Sequence, residues 1–367
     1  MVTSGKPNLI RRYNRDLIRD LILEKGPVTK VELSRLSGAS VPTVNKIVNQ
    51  LEADGSICSV TGDSNSVGRK AASYIVNKDA GYYIVFFVQN QQIQAGLANN
   101  HGEILHEECY TPDMNSSDAV NSAIFQAIEL FISEIPDQKL RAIGLGIPGI
   151  IDPDNRIIAI PTVPCWEGID LKSLLEGKFH IPVFLENDVK LMTIGAYKRG
   201  FSGKYRNMVL LYVSEGLGAG IVINGRLYKG INNFAGEYGF MIPDFERSMP
   251  HPEYTGDLEY KIRPLAEKRI KNEAFSKEEY DLFINILLGI ITNFTAVLNP
   301  DVISICSPNL SEDDLTQIRE RTLSRIPDYC MPELIITPDN TYGINGVVDL
   351  CMTGTQTKIS LIDETGL

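Results

Sequence analysis

The chain reads as an α/β protein in which an N-terminal winged helix-turn-helix is followed by two α/β lobes. Three patterns carry this reading. A hydroxyl-capped helix with a clean apolar stripe begins at Ser40, a basic polar loop lies between two short alternating segments, and an order of strands and helices after Tyr82 occurs twice.

The first helix places Leu17, Ile18, Leu21 and Ile22 on one face and stops at Gly26-Pro27, a pair that does not continue a helix. Thr29 caps a short second helix whose apolar residues are Val31, Leu33 and Leu36, and Gly38 makes the turn after it. Ser40 caps the third helix, where Val44, Ile47, Val48 and Leu51 fall at i, i+3, i+4 and i+7 and form the buried stripe. Ser40, Val41, Pro42, Thr43, Asn45, Lys46 and Asn49 are left outward at a helix N-terminus, the place from which helix-turn-helix proteins reach base edges and phosphates of double-stranded DNA.

Ser56 to Val60 and Ser73 to Asn77 then alternate like strands around the loop Thr61 to Lys70. Gly68-Arg69-Lys70 is either a wing tip that lays two cations in a narrow minor groove or a solvated hairpin tip; its place one wing's length from the third helix favours the wing. The expected division is a DNA-binding domain over 1–78 with its wing and linker at 56–78, a first lobe over 79–190, and a second over 191–367 whose last helix is free to return to the first.

Charge divides the same way. Residues 1–78 hold 12 Lys and Arg against 7 Asp and Glu, a balance of +5, whereas the remainder holds 23 against 39 and the whole chain stands at −11. An acidic body repels a phosphate backbone, so DNA contact belongs to the small domain.

With 367 residues, 43% hydrophobic and 22% charged, the chain can bury a large core behind the small domain. The six cysteines, at 58, 109, 165, 306, 330 and 351, form no CxxC pair and follow no leader-like stretch, so reduced thiols and a cytoplasmic location are expected. The most apolar run, Leu282 to Leu298, is broken by Asn285, Gly289, Thr292, Asn293 and Thr295 and reads as a buried helix or an oligomer contact, not a membrane span.

Tyr82 to Val88, Ile93 to Ala98 and Ile104 to Tyr110 read as an antiparallel meander, followed by a helix around Ala119 to Ile135 and a strand at Ala142 to Ile147. The plan recurs with strands at Met208 to Val213, Gly220 to Ile223 and Arg226 to Tyr228, a helix at Lys277 to Leu298 and a strand at Val302 to Cys306. Two similar lobes imply a cleft, the usual place for a ligand.

Gly146-Ile147-Pro148-Gly149, Glu186-Asn187-Asp188, the run Asn224 to Gly230 and Ala235-Gly236-Glu237-Tyr238-Gly239, in this order behind a winged helix, resemble the ROK family of repressors and sugar kinases over essentially the whole chain. The resemblance implies an actin-like, two-lobed sugar kinase-like ATPase fold. It also implies that Asn187, Asp188, Glu237 and Glu259 hydrogen-bond sugar hydroxyls, for which carboxylate acceptors are suited. The competing account is that Asn187-Asp188 and Gly236-Glu237 are turn and cap residues retained by the fold.

Departures from the family pattern argue against phosphoryl transfer. The first phosphate turn of its kinases is glycine-bearing, and here it reads Val88-Gln89-Asn90-Gln91-Gln92-Ile93. The second reads Ser214-Glu215-Gly216-Leu217-Gly218-Ala219-Gly220, with an anion where a phosphate should sit, and the nucleotide-side glycine run reads Ser307-Pro308-Asn309. The family's zinc ligands are replaced by Phe240, Pro250, Pro252 and Asp257, so no metal and no cofactor are expected, and His251 is a lone loop histidine. Phe240 in place of a histidine tilts the pocket toward a less polar sugar face. Trp166, the single tryptophan, either stacks on a sugar ring or anchors its loop.

Together these point to a cytoplasmic, non-enzymatic regulator of carbohydrate genes, a repressor in the first instance, with an operator, a sugar effector in the cleft and a homodimer or homotetramer as its expected state. Control by a protein partner, or a bifunctional sugar kinase, are the rivals. Arg69→Ala should weaken operator binding at every sequence and lower its salt slope by roughly 1, whereas Asn45→Ala should alter sequence preference. Salt-titrated binding to operator and scrambled DNA separates the two, and the reverse pattern would exchange the roles given to wing and helix.

Overall fold

The computed structural model describes residues 6–60, 72–89, 91–136, 139–160, 162–214, 216–243, 256–338 and 342–355. The expected wing residues Arg69 and Lys70, together with Glu215, Pro250, His251 and Pro252, lie outside them.

The N-terminal domain comprises α1 (Lys6–Lys25), β1 (Val28–Thr29), α2 (Lys30–Ser37), α3 (Val41–Ala53), β2 (Ile57–Val60) and β3 (Ser73–Val76). Its small sheet has the order β1-β3-β2. Thr29 caps α2 through a reciprocal box with Glu32, Gly38 closes it at φ 69, and Ser40 caps α3. Ile18, Ile22, Leu33, Val44, Ile47, Val48 and Leu51 form one core with Val28, Tyr74 and Val76. Two details go beyond the sequence reading. Val31 is 69% exposed and Leu36 is 45% exposed, because the eight-residue α2 touches the core mainly through Leu33 at its centre. The strand β1 was not foreseen, since two residues give no periodicity to read.

The body follows as β4 (Tyr82–Gln89), β5 (Gln92–Asn99), β6 (Ile104–Tyr110), α4 (Ser117–Glu134), β7 (Leu140–Ile147), β8 (Ile150–Ile151), β9 (Ile157–Ala159), α5 (Leu171–Phe179), β10 (Val183–Asn187) and α6 (Asp188–Ala196). Then come β11 (Met208–Val213), β12 (Leu217–Ile223), β13 (Arg226–Tyr228), α7 (Asp257–Ile270), α8 (Lys277–Leu298), β14 (Val302–Cys306), α9 (Glu312–Leu323), β15 (Glu333–Ile336) and α10 (Gly343–Thr355).

Two five-stranded sheets repeat one plan. The first runs β6-β5-β4-β7-β10 and the second β13-β12-β11-β14-β15, each an antiparallel meander continued by two parallel strands. Because strands such as Tyr82–Gln89 and Met208–Val213 are buried on both faces, they read as continuous apolar runs and not as alternation. The helix α8 is long and apolar enough by composition to cross a membrane, but Phe283, Ile284, Leu287, Ile290 and Ile291 lie in the second lobe's core.

Helices α6 and α10 form the joint. Both contribute to a core that also takes Val85 and Phe87 from the first sheet and Leu210, Tyr212 and Val302 from the second. α10 packs on β4, β5, β7 and β10, so the end of the described chain returns to the first lobe. The two helices touch backbone to backbone: a Cβ on Gly346 would stand 2.0 Å from the Leu191 carbonyl oxygen, and one on Gly195 would stand 2.2 Å from that of Tyr342. Leu23 of α1 packs against this core and against that of the N-terminal domain, and Arg19 donates to Asn100 at 3.4 Å. Gly346→Ala must push the two helices apart, so we expect a loss of about 3 kcal/mol or more, read as a lower urea midpoint with an unchanged slope.

Candidate functional site

On the outer side of α3, Ser40, Val41, Pro42, Asn45, Lys46 and Asn49 are exposed and Thr43 is half-buried. Not all are equally available. The Ser40 and Thr43 hydroxyls lie 2.8 Å apart within the cap, and Asn49 accepts a 2.7 Å hydrogen bond from Lys30 of α2. Val41, Pro42, Asn45 and Lys46 therefore present the freest contact face, and Lys30 joins it as a cation that sequence reading had not placed there.

In the body, β10 ends at Asn187 and α6 begins at Asp188. The Asn187 side chain accepts from the Lys190 backbone at 3.1 Å and donates to the Gly149 carbonyl at 3.1 Å, so one amide caps the helix and pins the Gly146 to Gly149 turn. Gly149 is required there, since a Cβ would stand 2.4 Å from the Ala159 carbonyl oxygen. Across from it, the loop after β13 is held to β12 by Gly236, whose φ is 95 and whose carbonyl accepts from Ala219 at 2.8 Å.

These loops bring the predicted carboxylates into one electrostatic neighbourhood. Burial pushes the Asp188 carboxyl up to about 7, and the nearby Glu237 adds to the rise. Burial raises Glu237 too, with Glu259 and Glu186 pushing the same way and Lys190 opposing them. The acids are not left alone. The Lys190 ammonium, on a side chain only 3% exposed, donates to the Asn233 carbonyl at 2.6 Å and to Glu237 Oε1 at 3.3 Å. Lys229 pairs with the buried Glu186, and Arg263 donates to Glu259 Oε1 at 2.9 Å. Glu186, Lys190, Lys229 and Arg263 were missed as site residues. The legible signal was Lys190, a charge in the first turn of a helix that is otherwise almost wholly apolar.

The end of β4 is tied to the second lobe. Gln89, at the end of β4 in the first lobe, donates to the Tyr212 hydroxyl of the second lobe at 2.8 Å, and the Tyr238 hydroxyl donates to the Tyr212 carbonyl at 2.8 Å. The Glu259 carboxylate lies beside Gly216 and Gly239, with its Oε2 3.0 Å from where a Gly239 Cβ would be. Phe240 is half-buried and stacks on Phe234 with ring centroids 5.2 Å apart. Asp257 begins α7, and no cluster of three metal-ligating side chains occurs among the described residues. The open choice for Trp166 closes on the anchor: it is 0% exposed in the first lobe's core and donates to Asn121 at 3.3 Å, so it offers no face to a ligand.

Comparison with known proteins matches residues 89–260 to the ROK family. A xylose repressor of Bacillus spizizenii is 32% identical over 238 residues, 64% of this chain, and the chain spans 62% of that relative's length. The DNA-binding transcriptional dual regulator NagC of Escherichia coli is 28% identical over 239 residues, covering 64% of this chain and 58% of the relative. Among solved structures, a ROK family transcriptional regulator, a homolog of the Escherichia coli MLC protein, superposes with a TM-score of 0.77 at 20% identity over 95% of this chain and 97% of its own. A ROK family glucokinase from Streptomyces griseus, in complex with glucose and AMPPNP, gives 0.59 at 18% identity over 74% and 98%. These last two likenesses show the fold.

The raised Asp188 carboxyl has a stability consequence of definite sign. Its folded value lies above its ordinary value of 3.8, so the folded state holds the proton more tightly and stability falls as pH rises from about 4 to about 7, then levels. Asp188→Asn removes that dependence. The variant should match the parent near pH 4 and exceed it above pH 7 by roughly 4 kcal/mol at most, measured by urea unfolding across pH. A difference that does not change with pH would overturn the assignment.

Proposed function

The chain carries a ROK family domain, and on that premise we propose that it is a sequence-specific DNA-binding transcriptional regulator, in the first instance a repressor, of carbohydrate-metabolism genes. Its effector is a sugar or sugar derivative held in the cleft by Asn187, Asp188, Glu237 and Glu259. The observation that carries this reading is the electrostatic proximity of Asp188 to Glu237 and of Glu237 to Glu259, in a body that follows a helical N-terminal domain with its own core. Relatives named as a xylose repressor and as an N-acetylglucosamine repressor support the sugar as ligand class.

Chemically, the arrangement can bind but lacks the means to transfer a phosphoryl group. Asp188 stands where a base could take a sugar hydroxyl proton. Against that chemistry, the first glycine-bearing turn that cradles phosphates is replaced by Val88 to Ile93, whose Gln89 is hydrogen-bonded to Tyr212. A protein without kinase activity is the reading this supports.

The signal has a short path in this account. Asn187 and Asp188 form the start of α6, α6 lies against α10 at Gly195 and Gly346, and Leu23 of α1 packs on the same core. Ligand closure that shifts α6 would shift α10 and the seat of α1, changing the spacing of paired winged helices on a two-half-site operator. The active species is a cytoplasmic homodimer or homotetramer, and Arg69 and Lys70 complete the DNA contact from the wing.

Control by a protein partner is the second reading, favoured by Tyr228 at the end of β13 and by Ile231 and Phe234 on the loop after it, which are 52%, 93% and 44% exposed. A sugar panel decides. A binding sugar at about 100 times its Kd should add roughly 2.7 kcal/mol to unfolding and release operator DNA. Asp188→Ala should keep operator affinity and lose both effects. Operator release by a protein in the absence of any sugar would favour the second reading, and sugar-dependent ATP turnover would overturn the non-enzymatic one.

A further inference from the structure

The charges around the cleft select among sugars. Each of three carboxylates already has its own cation: Glu237 has Lys190, Glu186 has Lys229 and Glu259 has Arg263. Two of the pairs join separate parts of the cleft, since Lys190 comes from α6 and Glu237 from the loop after β13, whereas Glu186 ends β10 and Lys229 follows β13. Asp188, the fourth acid, is buried at the N-terminus of α6 with Glu237 beside it.

Resting on the sugar-effector reading, we propose that the effector is an uncharged sugar, that phosphorylated and acidic sugars are excluded, and that Lys190 is the specificity-determining residue.

The argument is one of charge and hydrogen-bond matching. A neutral sugar brings hydroxyls that both donate and accept, so it can give hydrogen bonds to Glu237 and Asp188 and receive one from Lys190 without changing the net charge of the site. A phosphate dianion or a carboxylate must instead displace an acid from its cation or sit beside the buried Glu186 and Asp188 and the largely covered Glu237. Either course leaves a buried charge without its partner, which is costly in a place so little exposed to water. Discrimination of this kind comes from the repulsive element as much as from the attractive one. Lys190 decides it because its ammonium has two acceptors already, Asn233 and Glu237, and is held as a donor of one further hydrogen bond rather than as an unmatched cation.

Removing the acid and keeping the cation should therefore relax the exclusion. The measurement is calorimetric titration of the full chain with xylose, glucose, N-acetylglucosamine, glucose 6-phosphate, N-acetylglucosamine 6-phosphate and glucuronate. At least one neutral sugar should bind tenfold or more tightly than its charged counterpart. In Glu237→Gln, Lys190 lacks its counter-charge, and the preference should narrow or reverse. Lys190→Met serves as the second variant: it should weaken the neutral sugar about tenfold and gain nothing for the charged ones. A parent chain that prefers a sugar phosphate or glucuronate overturns the proposal, as does a ratio unmoved in Glu237→Gln or a charged sugar gained in Lys190→Met. If none of the six binds the parent chain or releases operator DNA, the sugar-effector reading itself falls.

Discussion

The backbone contact between α6 and α10 is the constraint on which the rest of the body depends. Two glycines, Gly195 and Gly346, let the helices approach until each faces the other's carbonyl groups at distances no side chain would tolerate. That closeness makes one element of two helices, and the element is shared by both sheets. The lobes are thus not free to choose their own separation. Asn187 and Asp188 stand at the start of α6, so their placement follows from this joint. The N-terminal domain inherits its seat from it too, through Leu23.

Within the cleft, electrostatics follow from burial. Carboxylates ordinarily seek water, and here Glu186 and Asp188 have almost none. The fold answers in two ways, providing cations for Glu186, Glu237 and Glu259 and letting Asp188 retain a proton more readily. Breaking any of these pairs by removing one partner would be costly, whereas the assembled set is near balance. A site built this way favours ligands that exchange hydrogen bonds without importing charge.

Much of this was legible before any coordinate. The stripe Val44, Ile47, Val48, Leu51 and the caps Thr29 and Ser40 located the helix-turn-helix, because a surface helix must separate its faces and end its backbone donors on an acceptor. The helix Lys277–Leu298 and the strand Val302–Cys306 were legible to the residue, being long or wholly apolar. Val31 and Leu36 misled, since apolar character does not say which side of an eight-residue helix the core lies on. For the cleft, Asn187, Asp188, Glu237 and Glu259 came from the resemblance to a family, and the structure brings the acids together. Lys190 showed as a charge in the first turn of an apolar helix and Arg263 as the i+4 neighbour of Glu259, whereas what makes Lys229 a site residue is the acid it faces across the fold, a pairing with no local signature. Trp166 was undecidable in sequence for the same reason.

The return of α10 to the first lobe also orders events during synthesis. The winged helix domain has its own core and is complete once residue 76 has been made, so it can fold while the rest of the chain is still emerging. The first sheet is different: β4, β5 and β7 wait for a helix encoded roughly 200 to 250 residues later before one of their faces is covered. In the interval a nascent chain presents a folded N-terminal domain on a body that is still open along an apolar sheet, the kind of surface that folding factors bind. The N-terminal domain is finished long before the body, which is complete only when the last described helix has docked.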